Sequence, residues 1–294
     1  MKLMEKNPFI MILIGILGIS LSSIFVKYAQ APSAVTAAFR LLWTVLLLTP
    51  FVFSNKSIRD EIRCVSAKMA ILSGLSGLFL AAHFVLWFES LQHTSVASST
   101  TIVCTEVVWV ALGFCLFLRG KMTILAVLAI IISLSGSLLI ALSDSSTGAG
   151  VYGDILALLA AISVAVYTLL GRVVRKTLST SVYTYIVYAT CAVALLITCA
   201  LQGHSLVAYG ISPVIVGLLL AVFSTVLGHS VFTWCLKYFS PAFVSASKLC
   251  EPVVAAIFAG ILFSEIPGWI QILGGVLVIS GVLFYSRVES SHSY

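Results

Sequence analysis

Near the middle of the apolar stretch Phe239–Glu265 stand a lysine, a glutamate and a proline: Lys248, Glu251 and Pro252. The stretch is long enough to cross a bilayer. An ionised side chain at that depth costs about 3 kcal/mol on the mildest insertion scale, and so faces a protein interior or a wet cavity. Lys248 and Glu251 are three residues apart and share a helix face. Pro252 has no amide hydrogen, which predicts a kink and leaves the carbonyl of Lys248 without its usual donor. One turn therefore offers a cation, an anion and an expected free carbonyl, a set suited to a small charged solute or a proton. A second carboxylate belongs with it. Shifted by 145 residues, His93–Gly120 aligns with Tyr238–Glu265, with Ser95 on Ser240, Ala97 on Ala242, Glu106 on Glu251 and Val107 on Pro252. Glu106 and Glu251 are thus equivalent positions of an internal repeat, and both are expected to bind substrate or protons. The bland alternative is a structural ion pair in which Lys248 neutralises one or both. Lys248 in turn either binds a substrate carboxylate or serves as that counter-ion.

Further residues extend this set. His83 and Trp87 are four apart and share a helix face; His229, one residue off the repeat register from His83, has Trp234 five residues on. These four, with Tyr188, are expected to line a substrate cavity, the aromatics stacking on cationic groups and the histidines able to titrate near neutral pH. The alternative for the histidines is a hydrogen bond to a neighbouring helix, for the aromatics plain packing. Lys27, Arg40 and Glu89 fall near one end of their apolar segments and are expected to form a gate or ion-pair cluster, or simply to snorkel. Lys27, Arg40 and Lys248 balance Glu89, Glu106 and Glu251, a parity that favours zwitterions over strong anions.

The elements that hold these residues follow from composition. Hydrophobic residues make up 61% of the chain and charged ones 9%, and the mean hydropathy is +1.16, which excludes a soluble domain. A span needs about 20 apolar residues, and ten segments qualify: about 8–29, 33–53, 69–91, 95–118, 122–142, 153–171, 182–201, 213–236, 241–263 and 268–286. The first is expected to remain as a membrane helix, because Lys27 and Pro32 flank its only cleavage-like site. The seven cysteines show no metal or redox spacing. No cofactor and no metal is expected, and no basic run suggests nucleic acid.

Thirteen basic residues, from Lys2 and Lys6 to Arg287, fall in loops on one side, and none in the opposite loops. By the positive-inside rule both termini are cytoplasmic. The Gly/Ser-rich connection Ser143–Asp154 divides the chain into two repeats, 8–142 and 151–286, of five helices each. Five is odd, so the repeats are expected to run in opposite directions. Further matches at the same offset, such as Leu134-Ser135-Gly136 on Ile279-Ser280-Gly281, agree. The expected fold is an all-α membrane protein of ten transmembrane helices, built as two inverted five-helix repeats. Such repeats place a site near the midplane and move by rocking one half against the other.

The Glu251-Pro252 pair, Glu265 later on the same segment, Gly228-His229-x-x-Phe232-x-Trp234-x-Leu236-Lys237-Tyr238 and His83-Phe84-x-x-Trp87 resemble the EamA family of the drug/metabolite transporter superfamily. The resemblance covers about Pro8 to Ser286. It implies a basket of helices around a central cavity, with the fifth and tenth helices outside the transport path. The chain departs from the family in having Ser20-Leu21 where its first helix often has Trp-Gly. Together these readings predict a secondary transporter, an exporter of small polar or zwitterionic amino-acid-like metabolites, in a bacterial plasma membrane, as a monomer or homodimer. The alternative is a carrier of organic cations, choline-like or drug-like. A membrane enzyme is disfavoured, since no HExxH, nucleophile elbow or paired-aspartate motif is present.

Overall fold

A computed structural model describes residues 7–94, 96–144, 150–263 and 268–290, which are helical with no strand among them. The helices are α1 (Pro8–Ser20), α2 (Ser22–Lys27), α3 (Ser33–Ser54), α4 (Lys56–Arg63), α5 (Ala67–His93), α6 (Val96–Cys104), α7 (Glu106–Phe117), α8 (Ile124–Asp144), α9 (Val151–Val174), α10 (Thr180–Leu201), α11 (Ser212–Leu219), a π-helix (Leu220–His229), α12 (Ser230–Cys235), α13 (Pro241–Ser247), a 3₁₀ turn (Lys248–Cys250), α14 (Glu251–Phe263) and α15 (Trp269–Ser290). Among the described residues, seven helical stretches are long and apolar enough to cross a membrane: Pro8–Val26, Ser33–Ser54, Ala67–His93, Val151–Val174, Thr180–Leu201, Ser212–Cys235 and Trp269–Glu289. Thr101–Phe117 and Ile124–Ile140 are shorter apolar helices. The expected spans 8–29, 95–118 and 241–263 are each divided, at Leu21, at Thr105 and at the 3₁₀ turn Lys248–Cys250. Glu265 lies outside the described residues.

The chain forms two compact units, and each draws on both repeats. Unit 1 comprises Met1–Val85 and Val166–Lys237. In it α3 packs on α10, on α11 and on the π-helix, while α1 packs on the π-helix and α12. The π-helix is approached at backbone distance. A Cβ on Gly18 of α1 would stand 2.7 Å from the Phe223 carbonyl oxygen and 2.9 Å from the Gly228 nitrogen. Only glycine permits that contact, the usual device for close helix crossings in membranes.

Unit 2 comprises Leu86–Ala165 and Tyr238–Tyr294. Its main contact is α8 against α15, two helices that the 145-residue offset relates. A Cβ on Gly136 would meet the Gly274 carbonyl oxygen at 2.5 Å and the Val278 nitrogen at 2.7 Å. One on Gly281 would meet the Ala129 carbonyl oxygen at 2.9 Å and the Ser133 nitrogen at 2.8 Å. Adding 145 to Gly136, Ala129 and Ser133 gives Gly281, Gly274 and Val278, so the two contacts are the same contact with the repeats exchanged. Residue numbers rise along α8 as they fall along α15, so the two helices are antiparallel.

Unit 2 also packs α13 on α7, α6 on α8, and the 3₁₀ turn on α8 and α15. Ser240 caps α13 by accepting from the Phe243 amide, and Glu289 of α15 accepts from both the Ser240 amide and its hydroxyl.

Candidate functional site

Two of the divided spans, 95–118 and 241–263, break at equivalent places. In the first repeat α6 ends at Cys104 and α7 begins at Glu106. The Thr105 amide donates to the Ile102 carbonyl at 3.0 Å, and the Val108 amide to the Thr105 carbonyl at 2.9 Å. Both are i to i+3 bonds that tighten the helix. The Thr105 hydroxyl also donates to Ile102 at 2.6 Å, a local bond of the kind that bends helices. In the second repeat the tightening is the 3₁₀ turn Lys248–Cys250, and α14 begins at Glu251 with Pro252 next. The free carbonyl expected at Lys248 is not free: it accepts from the Glu251 amide. The 3₁₀ turn supplies a donor one residue earlier than the missing Pro252 amide, the usual way a broken membrane helix satisfies its backbone.

Glu106 and Glu251 are therefore each the first residue of a half-helix. The positive end of the helix dipole lies against a carboxylate there, and the negative end of α13 lies at Lys248, favourable by about 0.3–1 kcal/mol each. Lys248 Nζ donates to Glu106 Oε1 at 2.9 Å, with side-chain exposures of 13% and 8%. Those exposures separate this pair from a surface salt bridge, worth little: removal of one partner would leave a buried charge uncompensated. Glu251 is half-buried. Within the same unit, the Ser245 hydroxyl, three residues before Lys248, and Nε1 of Trp109, three after Glu106, are buried without a hydrogen-bond partner among the described residues.

Unit 1 gathers a different set around Phe84. The Arg40 guanidinium, at 1% exposure, lies 4.2 Å from the Phe84 ring centroid and donates from Nε to Thr225 Oγ1 at 2.8 Å. The rings of His83 and His229 stand 5.3 and 5.6 Å from Phe84. Tyr167 meets His229 edge-on at 6.1 Å and bonds Thr233 at 2.9 Å. Tyr188, fully buried, bonds Ser230 at 2.9 Å. The π-helix makes this possible. Its wider i to i+5 turn is closed by the amide and hydroxyl of Ser230, both donating to the Thr225 carbonyl, and it carries Thr225 and His229. π-Helical turns concentrate at functional sites.

Glu106, Lys248 and Glu251 thus come together in unit 2, while His83, His229 and Tyr188 belong to unit 1. Trp234 follows on α12 in unit 1, half-buried; Trp87 is buried in unit 2 with its ring 5.3 Å from Phe88. Arg40 and Glu89, grouped in sequence, have separate partners. Arg40 lies on Phe84, whereas Glu89 pairs with His93 at 3.2 Å, four residues on and half-exposed. The Lys27 side chain lies outside the described ones. Sequence reasoning missed Phe84 as a hub, together with Thr225, Tyr167 and Ser230. Phe84 lies within His83-Phe84-x-x-Trp87, but nothing in a run of small and apolar residues signals a π-helix.

Comparison with known proteins agrees with this architecture. A crystal structure shares the fold at TM-score 0.78 and 15% identity, over 97% of this chain and 98% of the other. An uncharacterized transporter of Archaeoglobus fulgidus is 23% identical over 84% of this chain and 85% of its own length. The uncharacterized transporter YyaM of Bacillus subtilis is 27% identical over 92% and 88%. The pseudopaline exporter CntI of Pseudomonas aeruginosa is 26% identical over 75% of each. The EamA-like transporter family matches this chain twice, at residues 7–142 and 151–287. With two copies of that domain covering nearly all of its length, the chain belongs to the EamA-like transporter family and is a multi-pass membrane transporter of the drug/metabolite superfamily rather than an enzyme.

Proposed function

We propose that this transporter is an exporter of small polar or zwitterionic, amino-acid-like metabolites across a bacterial plasma membrane, working by alternating access. Its ten spans form two inverted five-helix repeats, 8–142 and 151–286, with both termini cytoplasmic. The antiparallel, exchangeable contact of α8 with α15 supports the inversion. Glu106, Lys248 and Glu251 are the charges that meet the cargo. The observation that carries this reading is the pair of helix breaks at Glu106 and Glu251, equivalent in the two repeats, with the part-buried Lys248 of the second break paired to Glu106 of the first. Discontinuous helices of this kind hold substrate and coupling ions in secondary transporters. The relative named a pseudopaline exporter supports the outward direction.

The test is flux of labelled amino acids in proteoliposomes. Glu106→Gln and Glu251→Gln should each lower it while leaving the protein monodisperse. Wild-type rates in both variants for every solute carried would overturn the site.

A further inference from the structure

We infer that Lys248 is a tethered stand-in for the cationic group of the cargo: its ammonium holds the cation position at Glu106 when the carrier is empty, and cargo enters by displacing it. The inference rests on the reading of Glu106 as a cargo-binding carboxylate, and deepens it by naming the group that carboxylate takes, an alkylammonium.

Several features make Lys248 fit for exchange rather than for permanent pairing. It stands on a 3₁₀ turn between two half-helices, not within a regular helix. It meets Glu106 with one nitrogen on one oxygen at 2.9 Å. An arginine would grip a carboxylate with a planar fork, whereas a lysine is a compact point charge on a flexible stem. That stem can swing away with no change in the backbone hydrogen bonds of the turn. Burial supplies the selectivity. Glu106 left without a cation in a site this enclosed is strongly disfavoured, so the pair opens only when another cation replaces the ammonium. A neutral or purely anionic solute has nothing to offer Glu106 and leaves it closed. A zwitterion brings an ammonium for Glu106 and a carboxylate for the displaced ammonium of Lys248, and polar groups already buried on the neighbouring turns, the Ser245 hydroxyl and the Trp109 N–H, have capacity for its other atoms. An empty carrier held by its own lysine is also a carrier protected from leak.

Chemical rescue tests this without knowledge of the natural cargo. Purified Lys248→Ala should melt below the wild type, and propylammonium should raise its Tm, while 1-propanol and propionate should not. The double variant Glu106→Gln/Lys248→Ala should not respond to propylammonium. Should the alanine variant fail to fold, Lys248→Met, which keeps the length of the stem, takes its place. Because the tethered ammonium competes in the wild type, propylammonium should bind the lysine-free variant at least about tenfold more tightly than the wild type. A folded lysine-free variant indifferent to propylammonium, or a double variant that responds equally, overturns the inference. Rescue without any effect of Glu106→Gln on flux would instead keep the cation site and discard its role in transport.

Discussion

The two units bury charge in different ways. The membrane segments of unit 1 contain no aspartate or glutamate, yet hold Arg40 at 1% exposure on the face of Phe84 and the hydroxyl of Thr225. Unit 2 contains Glu89, Glu106 and Glu251, and meets Glu106 with Lys248. The backbones differ in parallel. Unit 1 widens a helix into a π-turn, which keeps the chain continuous while turning Thr225, His229 and Ser230 toward three neighbours. Unit 2 breaks two spans and places a carboxylate at each new N-terminus, whereas the break in unit 1 at Leu21 opens α2 on Ser22. A cation over an aromatic ring is held by an induced and quadrupolar attraction that needs no second charge. An ion pair at a helix break can be opened by a competing ion. The first arrangement suits a fixed framework, the second a site that exchanges.

This contrast can be broken by experiment. Glu106→Ala should have the largest effect, lowering unfolding stability by about 3–5 kcal/mol because the part-buried ammonium of Lys248 loses the buried carboxylate it donates to. Glu106→Gln/Lys248→Met should recover much of that loss in denaturant or thermal unfolding. A loss under 1 kcal/mol would show the pair to be solvated, and the contrast with it would fall.

Next in size, Gly136→Ala and Gly281→Ala should each cost about 1–3 kcal/mol by forcing α8 and α15 apart. The two costs should agree closely, since the contacts are the same with the repeats exchanged. Unequal melting temperatures would sharpen the comparison by showing that one repeat carries more of unit 2 than the other.

Smallest, Phe84→Leu should lower stability by about 1–2 kcal/mol through the lost cation–π contact beneath a desolvated guanidinium. If its effect matched that of Glu106→Ala, the aromatic seat would be as demanding as the ion pair, and the distinction between the units would disappear.

How much of this was legible beforehand can be followed residue by residue. The equivalence of Glu106 and Glu251 was visible as a constant offset, because two copies of one domain keep their spacing even where side chains diverge. The break at Pro252 was visible too, since proline has no amide to give. The matching break at Thr105 was not: Val107 occupies the proline position, and a hydroxyl bond to Ile102 does the work instead. The free carbonyl at Lys248 was a misreading for a related reason, because a turn can tighten by one residue and satisfy itself. Arg40 read as an end-of-span charge from its position along the segment. Its partners lie 44 and 185 residues away, at Phe84 and Thr225, and position along a helix says nothing of which neighbour that face meets.

The sequence alone determined that this chain lives in a membrane, that it is built twice over, and which few charges it takes into the apolar phase. Those follow from composition and spacing, which act through transfer free energy and do not depend on neighbours. Only the tertiary structure decided how the buried charges are shared out: Glu106 to Lys248 and Arg40 to Phe84. A buried charge is settled by whatever lies within a few ångströms of it, and in a bundle of helices those atoms come from segments far along the chain.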